Sequence, residues 1–137
     1  MKIMLDTNIL IYFLEGIEPY ASKVEGLLSS FMKRKNEGIT STINLAEILT
    51  GFYAKGAEEK AIRVRNLLKD LTLDGFRIVP VTLEIADLAA SLRARRGGKL
   101  PDALIAATAV NQSADLLYSQ DEGLQRFAED IKICKLE

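Results

Sequence analysis

Histidine is absent from this sequence, and cysteine occurs once, at Cys134. Without an imidazole, Ser-His-Asp and Cys-His nucleophiles, histidine acid–base pairs and histidine zinc sites are all excluded. A lone thiol makes neither an internal disulfide nor a cysteine-based metal site. With no histidine to activate it, Cys134 reads as a half-buried apolar residue beside Ile131 and Ile133. No apolar run approaches the roughly 18 residues of a spanning helix. The opening Met1-Lys2-Ile3-Met4-Leu5-Asp6 meets an acid too early for a secretory signal, so a cytoplasmic location is expected. Neither sign of charge dominates: the formal net charge is −1, and a nucleic-acid partner would need a local basic patch. Linkers, repeats and low-complexity tracts are missing too, and Pro19, Pro80 and Pro101 fall at apparent element boundaries. One domain spanning residues 1–137 is expected.

What is present is a regular alternation of short strands and helices. Residues 2–6 read as a buried strand, and Asn8 as the cap of the apolar stretch Ile9 to Leu14. Val24, Leu27, Leu28 and Phe31 repeat with helical period. Gly38 is expected to close that helix, before a second strand at Ile39-Thr40-Ser41. Leu45, Ile48, Leu49 and Phe52 mark another helix, and Val64, Leu67, Leu68 and Leu71 a further one. Phe76 to Pro80 is a third strand. Ile85, Leu88, Ala89 and Leu92 form a helical stripe ended by Gly97-Gly98. Pro101 suits the first turn of a helix from Asp102 to Val110, apolar almost all round and therefore buried. Leu116-Leu117-Tyr118 is a fourth strand and Ile131-Lys132-Ile133 a possible fifth. The pattern predicts a three-layer α/β/α fold with a short parallel sheet of 4–5 strands. Ligands of such sheets bind beyond the carboxyl ends of the strands, where the strand order switches.

Four acids are candidates for a site. Asp6 ends the first strand, and reads either as a site carboxylate or as a cap of the next helix. Asp102 opens a buried helix, where an acid also suits the helix dipole. Glu47 lies opposite its helix's apolar stripe, with Asn44 and Thr50; an exposed glutamate and a cleft-lining one fit that equally. Asp121 follows the fourth strand and reads also as a loop or cap residue, with Ser119 as a turn hydroxyl. Carboxylates brought together repel one another and stay ionised only beside a cation. Oxygen ligands without histidine or thiolate favour Mg²⁺ or Mn²⁺, and such an ion activates water and polarises a phosphoryl oxygen.

The sequence resembles the PIN-domain nucleases, above all the small VapC-type toxins of toxin–antitoxin pairs. Four segments carry the resemblance: Met4-Leu5-Asp6-Thr7-Asn8, Asn44-Leu45-Ala46-Glu47-Ile48, Leu100-Pro101-Asp102 through Ala109, and Leu117-Tyr118-Ser119-Gln120-Asp121. The third is the most specific, and all four occur in the family's order across essentially the whole chain. The resemblance implies a metal-dependent endoribonuclease in which Asp6, Glu47, Asp102 and Asp121 bind Mg²⁺ or Mn²⁺ and position the attacking water. Thr7 and Ser119 would support them through hydrogen bonds, Ser119 replacing the family's common threonine. It also implies an RNA substrate, a homodimer and an antitoxin that occupies the active-site groove. Other readings are a PIN-like module that has lost activity and binds RNA or protein, and a PIN nuclease of RNA maturation or DNA cleavage. A haloacid-dehalogenase phosphatase would need an acid at position 8, where Asn stands.

Arg93, Arg95, Arg96 and Lys99 form a basic cluster just before Asp102. It reads as a contact for RNA phosphates or, equally, as a solvated helix end whose cations suit the C-terminal dipole. Lys33-Arg34-Lys35 reads as a plain solvated helix end.

Overall fold

The computed structural model describes all 137 residues. A five-stranded sheet forms its middle layer: β1 (Lys2–Leu5), β2 (Glu37–Ser41), β3 (Phe76–Val79), β4 (Leu116–Tyr118) and β5 (Ile133–Cys134). The spatial order is β3-β2-β1-β4-β5 and every pairing is parallel. β1 is central, with Ile3 facing Gly38 on one side and Leu116 on the other.

The two-residue period of a strand divides the core into two. Ile3 and Leu5 point to one face, where they meet Leu116 and helices α1 (Thr7–Leu14), α2 (Tyr20–Met32), α3 (Thr42–Ala54) and α4 (Glu58–Leu71). Met4 points to the other, with Ile39, Leu117 and helices α5 (Leu83–Arg96) and α6 (Leu100–Asn111). This is the α/β/α arrangement expected from the alternation of short apolar strands and amphipathic helices. No helix is long and apolar enough to cross a membrane.

The order of strands positions the site. From β1 the chain winds outward through β2 and β3, then returns to the opposite side of β1 to lay down β4. The switch point therefore lies between β1 and β4, and Asp6 and Ser119 follow the carboxyl ends of those two strands.

Local expectations fail in three places. Asn8 does not cap α1. Asp6 does, because it leaves the strand in extended conformation with its side chain accepting from the Thr7 N–H. Gly38 does not close α2 but lies inside β2. It is needed there for space: a Cβ at this position would fall 2.3 Å from the Phe31 ring. The last strand is Ile133–Cys134 rather than residues 131–133, because the Ile131 N–H bonds to the Phe127 carbonyl and completes the preceding turn.

Candidate active site

Asp6 is 3% exposed, yet its carboxylate is fully engaged. Oδ1 accepts from the Thr7 N–H at 2.8 Å and from Asn44 Nδ2 at 2.9 Å. Oδ2 accepts from Ser119 Oγ at 2.6 Å and from Asn8 Nδ2 at 3.4 Å. Burial pushes its pKa above the ordinary aspartate value, and the charges of Glu47 and Asp121 push the same way. The Ser119 and Thr7 hydrogen bonds oppose the shift. This carboxyl group is thus surrounded by donors to its charged form, in a place that disfavours charge.

Asn44 is fully buried rather than placed on an open polar face. Its Oδ1 accepts from the Ser41 N–H at 3.0 Å, part of a capping box at the start of α3. That leaves Nδ2 to donate to Asp6 and, at 3.0 Å, to Thr7 Oγ1. Because the Thr7 oxygen accepts from Asn44, its proton is directed to Glu47 Oε1, 2.7 Å away. Glu47 itself is exposed, one helical turn beyond Asn44. A continuous chain of hydrogen bonds therefore joins the start of α3, Asp6, Thr7 and Glu47.

A matching link runs from the other strand. Ser119 donates to Asp6 and accepts from the Asp121 N–H at 3.0 Å. Asp121 caps a short 3-10 helix, Glu122–Phe127, by accepting from the Gly123 N–H at 2.9 Å. Asp102 enters from the first turn of α6. Its pKa is raised, first by burial and then by the charges of Asp121 and Asp6; Lys99 and Arg126 pull it down. Glu47, Asp102 and Asp121 line one cleft of about 400 Å³ with Gly98, Lys99, Pro101, Gly123 and Arg126. Asp6 joins that cleft through Thr7 and Ser119. A larger cavity, about 610 Å³, lies at the opposite ends of the strands around Met1, Glu37 and Phe76 and contains none of the four acids.

The donor chemistry of the cleft fits a hard divalent cation: every candidate ligand is a carboxylate oxygen. Asp102 Oδ2 and Asp121 Oδ1 both reach toward the space left by the missing Cβ of Gly123, lying 2.9 and 3.2 Å from where that atom would stand. No three acidic side chains are yet gathered around one metal-sized point. Closure on an ion therefore requires side-chain rotation, for which Glu47 and Asp121, both exposed, have room.

The family model of the PIN domain matches residues 3–130. The chain belongs to the PIN domain family. No curated protein sequence gives a significant match. Among solved structures, VapBC2 from Rickettsia felis bound to promoter DNA aligns with TM-score 0.75 and 22% identity, over 100% of both chains. FitAcB from Neisseria gonorrhoeae aligns with TM-score 0.69 and 28% identity, over 96% of this chain and 95% of that one. The sarcin–ricin loop cleaving toxin VapC20 of Mycobacterium tuberculosis aligns with TM-score 0.68 and 18% identity, over 90% and 92%. The resemblance to VapC-type toxins read from the sequence thus extends to the fold.

In this PIN domain the basic cluster before Asp102 is dispersed. Arg96 is bound to Asp130 at 3.1 and 3.3 Å and to Glu129 at 3.3 Å. Arg93 donates to the Gly98 carbonyl and lines a neighbouring hollow with Ala90 and Leu100. Arg95 is exposed, and Lys99 alone of the four lines the acidic cleft. Two participants were not singled out from the sequence. Asn44 lay within a recognised motif, but periodicity placed it on a polar face. Arg126 carried no signal, because its place at the cleft depends on a contact with Gly97-Gly98 nearly thirty residues earlier in the chain.

Proposed function

We propose that this PIN domain is a Mg²⁺- or Mn²⁺-dependent endoribonuclease and the toxin of a toxin–antitoxin pair. The observation that carries the reading is the convergence of Asp6, Glu47, Asp102 and Asp121, each from a different element, beside the switch point of the sheet. Asp6, Glu47, Asp102 and Asp121 would hold the ion. A bound divalent ion supplies Lewis acidity toward a phosphoryl oxygen and lowers the pKa of water. The chain's own residues do the positioning. Thr7 holds Glu47, Asn44 holds Asp6 and Thr7, and Ser119 spans Asp6 and the Asp121 backbone. With no histidine in the chain, the four carboxylates are the groups available to accept a proton from the attacking water.

The toxin assignment is supported by the solved structures that share this fold, which include a toxin–antitoxin complex from Klebsiella pneumoniae and a member of the VapBC family of toxin–antitoxin systems. It carries with it an antitoxin that covers the acidic cleft, a homodimer and a cytoplasmic location.

The test is cleavage of RNA by the purified protein. Activity is expected with Mg²⁺ or Mn²⁺, to stop with EDTA, and to fall to background in Asp102→Asn. Undiminished cleavage by Asp102→Asn would discard the assigned mechanism. Tight RNA binding with no turnover in any divalent metal would establish a binding module instead.

A further inference from the structure

Arg126 is built into the rim of the acidic cleft in a way that leaves its charge unspent. Its Nε donates to the Gly123 carbonyl and its Nη1 to the Arg96 carbonyl, each at 3.2 Å. Both acceptors are neutral. None of the molecule's ion pairs involves Arg126, so every carboxylate stands beyond 4.0 Å from it. The side chain lies across Gly98, where a Cβ would fall 2.7 Å from its Cδ and Nε. Gly98 also has φ +84°, so two independent reasons keep that position free of a side chain. The guanidinium is therefore held by two backbone carbonyls, exposed, and lining the same cleft as Glu47, Asp102 and Asp121.

A guanidinium has five donors. Two are used on the carbonyls, and the Nη2 group has no protein partner. The free Nη2 donors stand on the lining of the cleft that Glu47, Asp102 and Asp121 share, paired with none of these carboxylates, and free guanidinium donors suit a phosphate group. Its field reaches Asp102, whose pKa it lowers.

We propose that Arg126 is a substrate-binding residue that clamps a backbone phosphate of the RNA in the cleft lined by Glu47, Asp102 and Asp121. The proposal rests on the nuclease reading above. A purely structural role, stapling the Gly97-Gly98 turn to the 3-10 helix, makes a different forecast, and two variants separate them. Arg126→Gln removes the charge; Arg126→Lys keeps it but cannot hold both carbonyls.

Steady-state cleavage of a single-stranded RNA is measured with each variant over a salt series, alongside melting temperature. For Arg126→Gln, KM is expected to rise about tenfold, the scale of one charge-assisted hydrogen-bonded contact. The slope of log affinity against log salt is expected to flatten by about 0.7, one phosphate's worth on a single strand. Arg126→Lys should keep that slope. An unchanged KM and slope in an active Arg126→Gln protein overturns the clamp and leaves the nuclease reading intact. Equal loss of melting temperature in both variants, with the salt slope untouched, assigns the staple instead. A wild-type protein that neither cleaves nor binds RNA overturns both readings together.

Discussion

Asp6 and Asp102 set the pH behaviour of the protein residue by residue. Both have folded-state pKa values raised above the ordinary value, chiefly by burial. The folded chain therefore binds these protons more tightly than the unfolded chain does. Their contribution to stability is fully present below the unfolded pKa and is lost as pH rises through the folded one. Ionisation of either group works against folding, and a cation in the cleft offsets this. Mg²⁺ or Mn²⁺ is thus expected to raise the melting temperature at neutral pH and to do less as the pH approaches the aspartate range, measurable by thermal shift. Asp102→Asn is expected to melt no lower than wild type without metal and to lose most of the metal-induced rise. A clear drop in its metal-free melting temperature would show that Asp102 stabilises the fold. Asn44 acts at the same scale. Asn44→Ala removes the bonds that set Asp6 and Thr7, and metal affinity or activity should fall about 10–100-fold, as for other groups that orient ligands. Titration calorimetry with Mn²⁺ reads the first and RNA cleavage the second; an unchanged value of both contradicts the positioning role.

Among the helices, α6 has the most buried residues. Ala103, Ile105, Ala106, Ala107, Thr108 and Ala109 are all buried, and Thr108 satisfies its hydroxyl on the Leu104 carbonyl. Alanines on this helix let it approach α5 closely, and that approach fixes where its first turn delivers Asp102. Ala106→Leu is expected to destabilise by about 1–3 kcal/mol through overpacking, read from chemical denaturation. A wild-type midpoint would mean that the layer has slack. The 3-10 helix after β4 has the same delivering role for Asp121. Gly123, whose φ is unremarkable, leaves room for the carboxylates: a Cβ would stand 2.9 Å from Asp102 Oδ2, and that side chain would have to turn away. Gly123→Ala should fold normally, by circular dichroism and melting temperature, while weakening Mn²⁺ binding. Unaltered Mn²⁺ affinity would show that the carboxylates do not need that space.

For the whole molecule, the order β3-β2-β1-β4-β5 brings the ends of β1 and β4 side by side, although Asp6 and Ser119 are 113 residues apart in sequence. A rigid parallel sheet with a core on each face holds that junction, and three further elements bring Glu47, Asp102 and Asp121 to it. A cleft lined by three carboxylates and two cationic side chains suits an ionic backbone rather than an apolar ligand. Expression with the protein encoded by the neighbouring reading frame is expected to yield a copurifying complex that does not cleave RNA. A partner that copurifies while cleavage continues at the free rate would place its contact away from the cleft.

The sequence by itself determined the architecture, because strand and helix periods write the two faces of the sheet directly into residues such as Ile3, Met4 and Leu5. It also named the four acids, through position at strand ends for Asp6 and Asp121 and through family motifs for Asp102 and Glu47. The absence of histidine narrowed the chemistry to carboxylates, lysine, tyrosine or a bound hard cation before any fold was known. Tertiary structure alone decided which polar groups share a hydrogen-bond network. Periodicity could not distinguish a solvent-facing Asn44 from a buried one, nor show that Arg96 is neutralised by Asp130 while Arg126 is held only by carbonyls. Those outcomes depend on contacts between residues 30 or more apart in sequence, and a local pattern carries no information about what a distant segment will bring beside it.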